Sequence, residues 1–269
     1  MSRILLFIPC YNCEKQISRV LSQLNDEILS YITEIIIVNN RSTDNTEAVA
    51  ADYIKNHPSI PIKLLRNQKN YNLGGSHKVA FHYAIDNDFS HVVVFHGDDQ
   101  GSICDLLPIL EKNIYKKYDC CLGARFQKGS RLYGYSLFRT FGNIVYNWIF
   151  SIVLRRRIYD LGSGLNLYKT EMLSDLFFEK FPDKLTFNYC MIMAAQYYQH
   201  RCYFFPISWR EGDQVSNVKI VGQAFNVLEM LARYFFTRGR FIKSELRESP
   251  VNRYEADVIA NSKEKTNVR

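Results

Sequence analysis

The sequence predicts an α/β fold, a mostly parallel central sheet with helices packed on both faces. Three observations predict it. Short continuous apolar runs at ILLFI (4–8), EIIIV (34–38) and HVVVF (91–95) read as strands buried on both sides. Segments with apolar residues at helical spacing lie between them. Strand and helix patterns alternate in this way through the first 125 residues, as crossover-connected parallel strands require.

Taken in order, Ile4 to Ile8 is the first strand, broken by Pro9-Cys10-Tyr11-Asn12. Glu14 to Leu24 follows as a helix, with Ile17, Val20, Leu21 and Leu24 on one face. Glu34 to Val38 ends at NNRSTDNT, where Ser42, Thr43 or Asp44 can cap a helix through Ala48 to Ile54. Ile62 to Leu65 is the third strand, Asn72 to Gly75 a turn, and Val79, Ala80, Tyr83 and Ala84 mark the next helix. His91 to Phe95 and Cys120 to Gly123 complete the regular half. Beyond it, Gly134 to Leu154 is a long aromatic helix pattern closing on Arg155-Arg156-Arg157. Asp160 to Gly164 is a loop before the strand LNLY, Thr186 to Tyr198 a helix and Cys202 to Ile207 a strand. Ser208 to Lys219 is a charged loop and Ile220 to Phe236 a helix. One domain is expected over 1–242, in halves 1–125 and 126–242, with a polar, flexible tail over 243–269.

The 269 residues carry 34 Lys and Arg against 27 Asp and Glu, a net charge of +7. That suits a phosphorylated substrate or a membrane surface and falls short of a nucleic-acid signature. Seven cysteines and no secretory leader pattern predict reduced thiols in a cytosolic setting. The longest apolar candidate, Phe141 to Leu154, is interrupted by Gly142, Asn143, Asn147 and Ser151. The expectation is a chain that does not cross a bilayer but can sit on one.

In parallel sheets, ligands bind beyond the carboxyl ends of the strands. PCYN, NNRSTDNT, LGGSHK and HGDDQ each stand at such a place and can converge on one rim. His96, Asp98 and Gln100 alternate, so in extended backbone they would project to one side as a half-shell for Mg²⁺ or Mn²⁺. The same cluster can equally be a turn cap. Lys78, near a glycine pair at a helix start, could hold a phosphate. Arg125, Arg139, Arg155 to Arg157, Arg210 and Lys219 are candidate phosphate clamps, because a guanidinium grips phosphate oxygens in bidentate fashion. Cys10 and Cys13 form a strand, C-x-x-C, helix pattern, which a thioredoxin-like redox site would share. Tyr133 to Arg157 reads either as an interfacial amphipathic helix or as a core helix.

In register, IPCYN (8–12), IIIVNNRSTDNT (35–46), NLGGSHKVAF (72–81), VVFHGDDQ (93–100), LGARF (122–126), DLGSGLNLY (160–168) and ISWREGDQVSNVK (207–219) resemble a family-2 glycosyltransferase of the GT-A fold. The likeness is nearest to dolichol-phosphate mannose synthases and bacterial polyprenyl-phosphate sugar transferases. It implies an inverting, metal-dependent transfer from a UDP- or GDP-sugar to polyprenyl phosphate, in cell-surface glycan synthesis, with Mg²⁺ or Mn²⁺ as cofactor. It also implies a cytoplasmic, peripheral place on the membrane; a homo-oligomer is left open, and no nucleic acid is involved. On this resemblance, 1–125 is the nucleotide-sugar half and 126–242 the acceptor half. Pro9 and Tyr11 match the nucleotide-binding P-x-Y-N element, and Asn40 a carboxylate that contacts the nucleoside. His96, Gly97, Asp98 and Gln100 match the metal-diphosphate segment D-x-D-x-Q. Arg125 and Arg139 match basic residues near the acceptor phosphate, and Arg210 and Lys219 a loop over the diphosphate. Lys78 joins the donor-binding set, and Asp98, Arg125, Arg139 and Arg210 the catalytic set. Asn39 and Asn40 depart from the family's paired aspartates, and His96 from its first metal carboxylate. If His96 ligates, metal binding should be proton-sensitive near a pKa of about 6.5. Two alternatives stay open: transfer to a glycan hydroxyl, with Glu211 or Asp213 as base, and a catalytically reduced nucleotide-sugar-binding scaffold.

Overall fold

The computed structural model describes residues 2–212 and 220–263, and only the backbone within 220–225. Its strands are β1 (Ile4–Cys10), β2 (Glu34–Asn39), β3 (Ile62–Asn67), β4 (His91–Phe95), β5 (Cys120–Ala124), β6 (Arg131–Tyr133), β7 (Leu165–Lys169), β8 (Cys202–Pro206), β9 (Ser208–Arg210) and β10 (Ala256–Asn261). Its helices are α1 (Ile17–Leu21), α2 (Asp26–Leu29), α3 (Thr46–Asn56), α4 (Asn72–Asp86), α5 (Leu107–Glu111), α6 (Leu137–Leu154), α7 (Thr170–Leu173), α8 (Phe187–Tyr197) and α9 (Ile220–Lys243).

An eight-stranded sheet runs in the order β10-β3-β2-β1-β4-β7-β5-β8, and β6 pairs with β9 beside it. The β3-β2-β1-β4 block and the β5-β8 pair are parallel, whereas β7 and β10 run antiparallel to their neighbours. The mostly parallel sheet is as expected. Every residue of β1 is buried because the sheet has a core on each face. Leu5 and Phe7 pack with α4, α8 and α9, while Ile4, Leu6 and Ile8 pack with α1, α2 and α3. Each such side chain contributes about 1.5–3 kcal/mol by leaving water.

Three expectations are corrected. Asn72 to Gly75 is the first turn of α4 and no separate turn, because the Asp183 carbonyl accepts from Gly74 N (2.6 Å) and Gly75 N (3.3 Å). The helix expected over Glu14 to Leu24 is the short α1, followed by α2, capped where Asn25 Oδ1 accepts from Ile28 N. The tail expected to be flexible supplies β10 in its described part, which pairs with the open edge of β3. Tyr254, just ahead of that strand, is buried, and its hydroxyl donates to Asp183 (2.7 Å).

His91 begins β4, at the end of the strand far from the polar rim, and its Nδ1 lies 3.0 Å from the Ser90 hydroxyl. Burial, then Lys169 and Lys116, lower its pKa to about 4. With the folded value below the usual 6.5, its contribution to stability is full above about pH 6.5 and is lost as pH falls through about 4. Urea midpoints measured at pH 7, 5.5 and 4.5 should therefore fall in that order, with a shallower fall for His91→Gln.

Candidate functional site

Beyond the ends of β1 and β2 lies a cleft of about 980 Å³ whose lining includes Pro9, Tyr11, Asn40, Asn70, Asn72 and Ser76. Tyr11 leaves 46% of its surface open there, available for stacking. Asn40 is buried and fully engaged on its oxygen side: Oδ1 accepts from Asn67 Nδ2 (2.9 Å) and Tyr71 N (2.8 Å). Its Nδ2 donates to Asn70 Oδ1 (2.8 Å). Asn39 is structural, since its amide donates to Glu47 and its oxygen accepts from Ser42 N. The NNRSTDNT loop docks on PCYN through Thr43 N to Asn12 Oδ1 (2.8 Å) and Cys13 N to Thr46 Oγ1 (2.7 Å). Cys10 and Cys13 are both buried, which leaves no thiol open to a dithiol partner and removes the support for a redox site.

The HGDDQ segment is a turn and not the extended run expected, because Asp99 takes a left-handed φ of 58°. His96, Asp98 and Gln100 therefore do not alternate along one face. Gly97 seats the turn on β1: its N–H donates to Pro9 O (3.1 Å), and a Cβ there would lie 2.6 Å from Cys10 Sγ. Gly164 closes the other side, where a Cβ would lie 2.8 Å from the His96 ring. The His96 Nε2 is buried without a hydrogen-bond partner, and burial followed by Arg125 lowers its pKa to about 4. The ring is neutral at physiological pH, so the proton sensitivity expected near 6.5 is not its property. Asp98, half-buried, has its pKa raised to about 6, chiefly by burial.

Asp99 was missed by sequence reading and is the hub of the rim. Its carboxylate accepts from Arg19, Arg210 and Gln23, and its carbonyl accepts from Arg210 Nε (2.9 Å). Arg19, Asp98, Asp99, Arg210 and Gly212 line a recess of about 330 Å³. Gln100 lines an adjoining groove with Tyr133 and Trp209. Arg125 is held in bidentate fashion by Asp160, through Nε and Nη2 at 2.8 Å each, beneath Trp209. Arg139, in the first turn of α6, pairs with Glu211. The three arginines of the expected catalytic set, Arg125, Arg139 and Arg210, thus each meet a carboxylate.

Lys78 does not belong to the rim. It is fully buried, and its Nζ donates to Phe181 O (2.6 Å), Asp183 (2.7 Å) and the Tyr254 hydroxyl (3.1 Å), tying α4 to the C-terminal segment. With Gly74 N and Gly75 N also engaged, neither glycine amide of this helix start is left for a phosphate. Arg156 donates to the carbonyls of His200 and Cys202, a structural duty. Lys219 and Asp213 lie outside the described residues.

Residues 6–177 match the family model described as glycosyl transferase family 2. The chain belongs to that family. It is 24% identical over 267 residues to dolichyl-phosphate beta-glucosyltransferase ALG5C of Trichomonas vaginalis, covering 92% of this chain and 76% of that protein. Among solved structures, S. aureus TarS 1-349 in complex with UDP superposes with a TM-score of 0.58 at 20% identity, over 91% of this chain and 76% of that one. The mannosyltransferase PcManGT of Pyrobaculum calidifontis, in complex with GDP-Man and Mn²⁺, does so at 0.58 and 14% identity, over 90% and 72%. These structural likenesses establish the GT-A-like α/β fold.

Whether this family-2 transferase has a seat for a divalent cation can be judged from its donors. Among the described residues, no group of three or more His, Cys, Asp or Glu side chains is placed to hold one. Asp99 is spent on arginines, and Gln100 N donates to Asp98 Oδ1 (3.2 Å). Asp98 remains as a carboxylate on the recess. That fits an ion of the magnesium type, which takes one or two protein carboxylates and completes its shell with substrate phosphates and water. It does not fit a caged ion.

Proposed function

We propose that the transferase moves a sugar from a nucleoside-diphosphate donor to polyprenyl phosphate, with inversion, at a membrane surface. One observation carries the reading: α6 joins the rim to an exposed apolar face. Arg139, in its first turn, pairs with Glu211, next to Arg210. Along the same helix Leu137, Phe138, Phe141, Trp148 and Ile152 are 68% to 87% exposed. The interrupting polar residues lie on the other side. Asn147 donates to Tyr159 O (2.7 Å) and Ser151 to Asn147 O (2.6 Å), with Phe150 and Leu154 buried near them. The helix, at 18 residues, is long and apolar enough to cross a membrane by length and composition, contrary to the sequence expectation. Its packed polar stripe favours lying along the domain with the aromatic face in lipid.

The donor's nucleoside would occupy the cleft at Pro9, Tyr11 and Asn40, with the diphosphate reaching the recess at Asp98 and Arg210. A divalent ion held by Asp98 would supply charge neutralisation to the diphosphate as it leaves. An acceptor phosphate oxygen bonds to the anomeric carbon as the bond from that carbon to the diphosphate oxygen breaks, and the electron pair leaves with the nucleoside diphosphate. Arg210 stabilises that charge, and Arg139 and Arg125 present cations on the acceptor side. An ionised phosphate has no proton to lose, so no general base is needed. Glu211, engaged by Arg139, is poorly placed to deprotonate a hydroxyl. The relative's name and the UDP and GDP-Man complexes of the structural neighbours agree with this donor and acceptor chemistry.

The test is to incubate the protein with UDP- and GDP-sugars, Mg²⁺ or Mn²⁺, and polyprenyl phosphate in vesicles, and to assay lipid-linked sugar. A soluble oligosaccharide as sole product would overturn the reading. Trp148→Glu should reduce flotation with anionic vesicles at least fivefold with little change in the thermal midpoint, since the residue is 68% exposed.

A further inference from the structure

Two of the amides lining the nucleoside cleft, Asn40 and Asn70, are wired in one direction. Asn40 Oδ1 has both lone pairs taken, by Asn67 Nδ2 and Tyr71 N. Asn70 Oδ1 has both taken as well, by Asn40 Nδ2 (2.8 Å) and Asn72 N (2.9 Å). The two backbone donors fix which end of each amide is oxygen, because an N–H cannot bond to an amide nitrogen that is itself a donor. Ser76 Oγ accepts from Asn67 and donates to Asn72 O, so it too is occupied. What Asn40 and Asn70 leave unengaged at the cleft is N–H: the Nδ2 group of exposed Asn70, and one hydrogen on Asn40. A carboxylate at position 40 would reverse this. Its second oxygen would face Asn70 Oδ1 and drive that amide over, turning its oxygen to the cleft at the cost of the bond from Asn72 N.

We propose that Asn70, held in this orientation by Asn40, selects the donor nucleotide by its base. It accepts bases with a carbonyl oxygen on the edge where cytosine and adenine carry an amino group. The inference rests on the cleft being the nucleoside site and deepens that reading to uracil- or guanine-type donors. An amino group presented to Asn70 Nδ2 would set donor against donor, and a site that donates to a carbonyl discriminates against an isostere that can only donate back.

Isothermal titration of the full chain with UDP, CDP, GDP and ADP in the presence of Mg²⁺ tests it. UDP should bind at least tenfold more tightly than CDP, or GDP than ADP. Asn70→Asp keeps the oxygen that receives Asn40 Nδ2 and Asn72 N and changes only the outward group, so it should invert that preference. Asn40→Asp should shrink the preference to near unity. Equal affinities within each pair for the wild type would overturn the inference while leaving the nucleotide-binding reading standing. So would a wild-type preference unchanged in Asn70→Asp. Binding of none of the four would overturn both.

Discussion

Replacing Asp98 by asparagine is expected to lower sugar transfer at least a hundredfold while leaving the protein as stable as before, or more so. Among the described residues, Asp98 is the carboxylate on the recess not committed to a cation: Asp99 is bonded to Arg19 and Arg210, and Asp160 to Arg125. A group that helps bring a cation to the departing diphosphate acts where charge develops, and losing one such contact typically costs 10²–10³ in kcat, or about 2.7–4 kcal/mol. Its environment does not favour the charge, since burial raises its pKa to about 6. An uncharged isostere therefore removes a cost of folding, the usual trade between stability and activity at a site. Steady-state kinetics at saturating donor and a thermal melt of the same preparation check both halves. Full activity in the variant would remove Asp98 from the mechanism.

Asp160→Ala is expected to cost about 3–5 kcal/mol of stability, read from urea unfolding. The carboxylate is buried and accepts from Arg125 N, Nε and Nη2 at 2.8 Å each and from Gly162 N at 3.1 Å. Removing it strands a guanidinium that is mostly shielded from water. It also unties the 160–164 loop from β5, and that loop presses Gly164 against His96. Transfer should fall with stability, because Arg125 loses the partner that holds it under Trp209. Asp160→Asn, which retains one acceptor, should recover part of the loss.

Much of the fold was legible because the central strands are apolar without interruption. HVVVF matches β4 end to end, and ILLFI and EIIIV lie inside β1 and β2. β10 was not legible: an edge strand buries little, so its ADVIAN composition reads as tail. The rim was found by the rule of strand ends, yet roles within it turned on facts no local pattern holds. Of two adjacent aspartates, the left-handed turn sends Asp99 to the arginines and leaves Asp98 on the recess. Lys78 beside a glycine pair reads as a phosphate ligand until Phe181, Asp183 and Tyr254, all remote in sequence, close around it. Asn70 acquires meaning only when the β2-β3 register sets its loop against Asn40.

The central claim is that the nucleophile is a lipid-borne phosphate. The direct measurement compares sugar transfer to polyprenyl phosphate with transfer to the matching polyprenol, in the same vesicles and with the same donor. Transfer to the phosphate alone, giving an organic-extractable product of inverted anomeric configuration, is the predicted result. Comparable transfer to the polyprenol would require a base to take its hydroxyl proton. Glu211 is bound to Arg139 and is not free to act as that base, and that result would contradict the account.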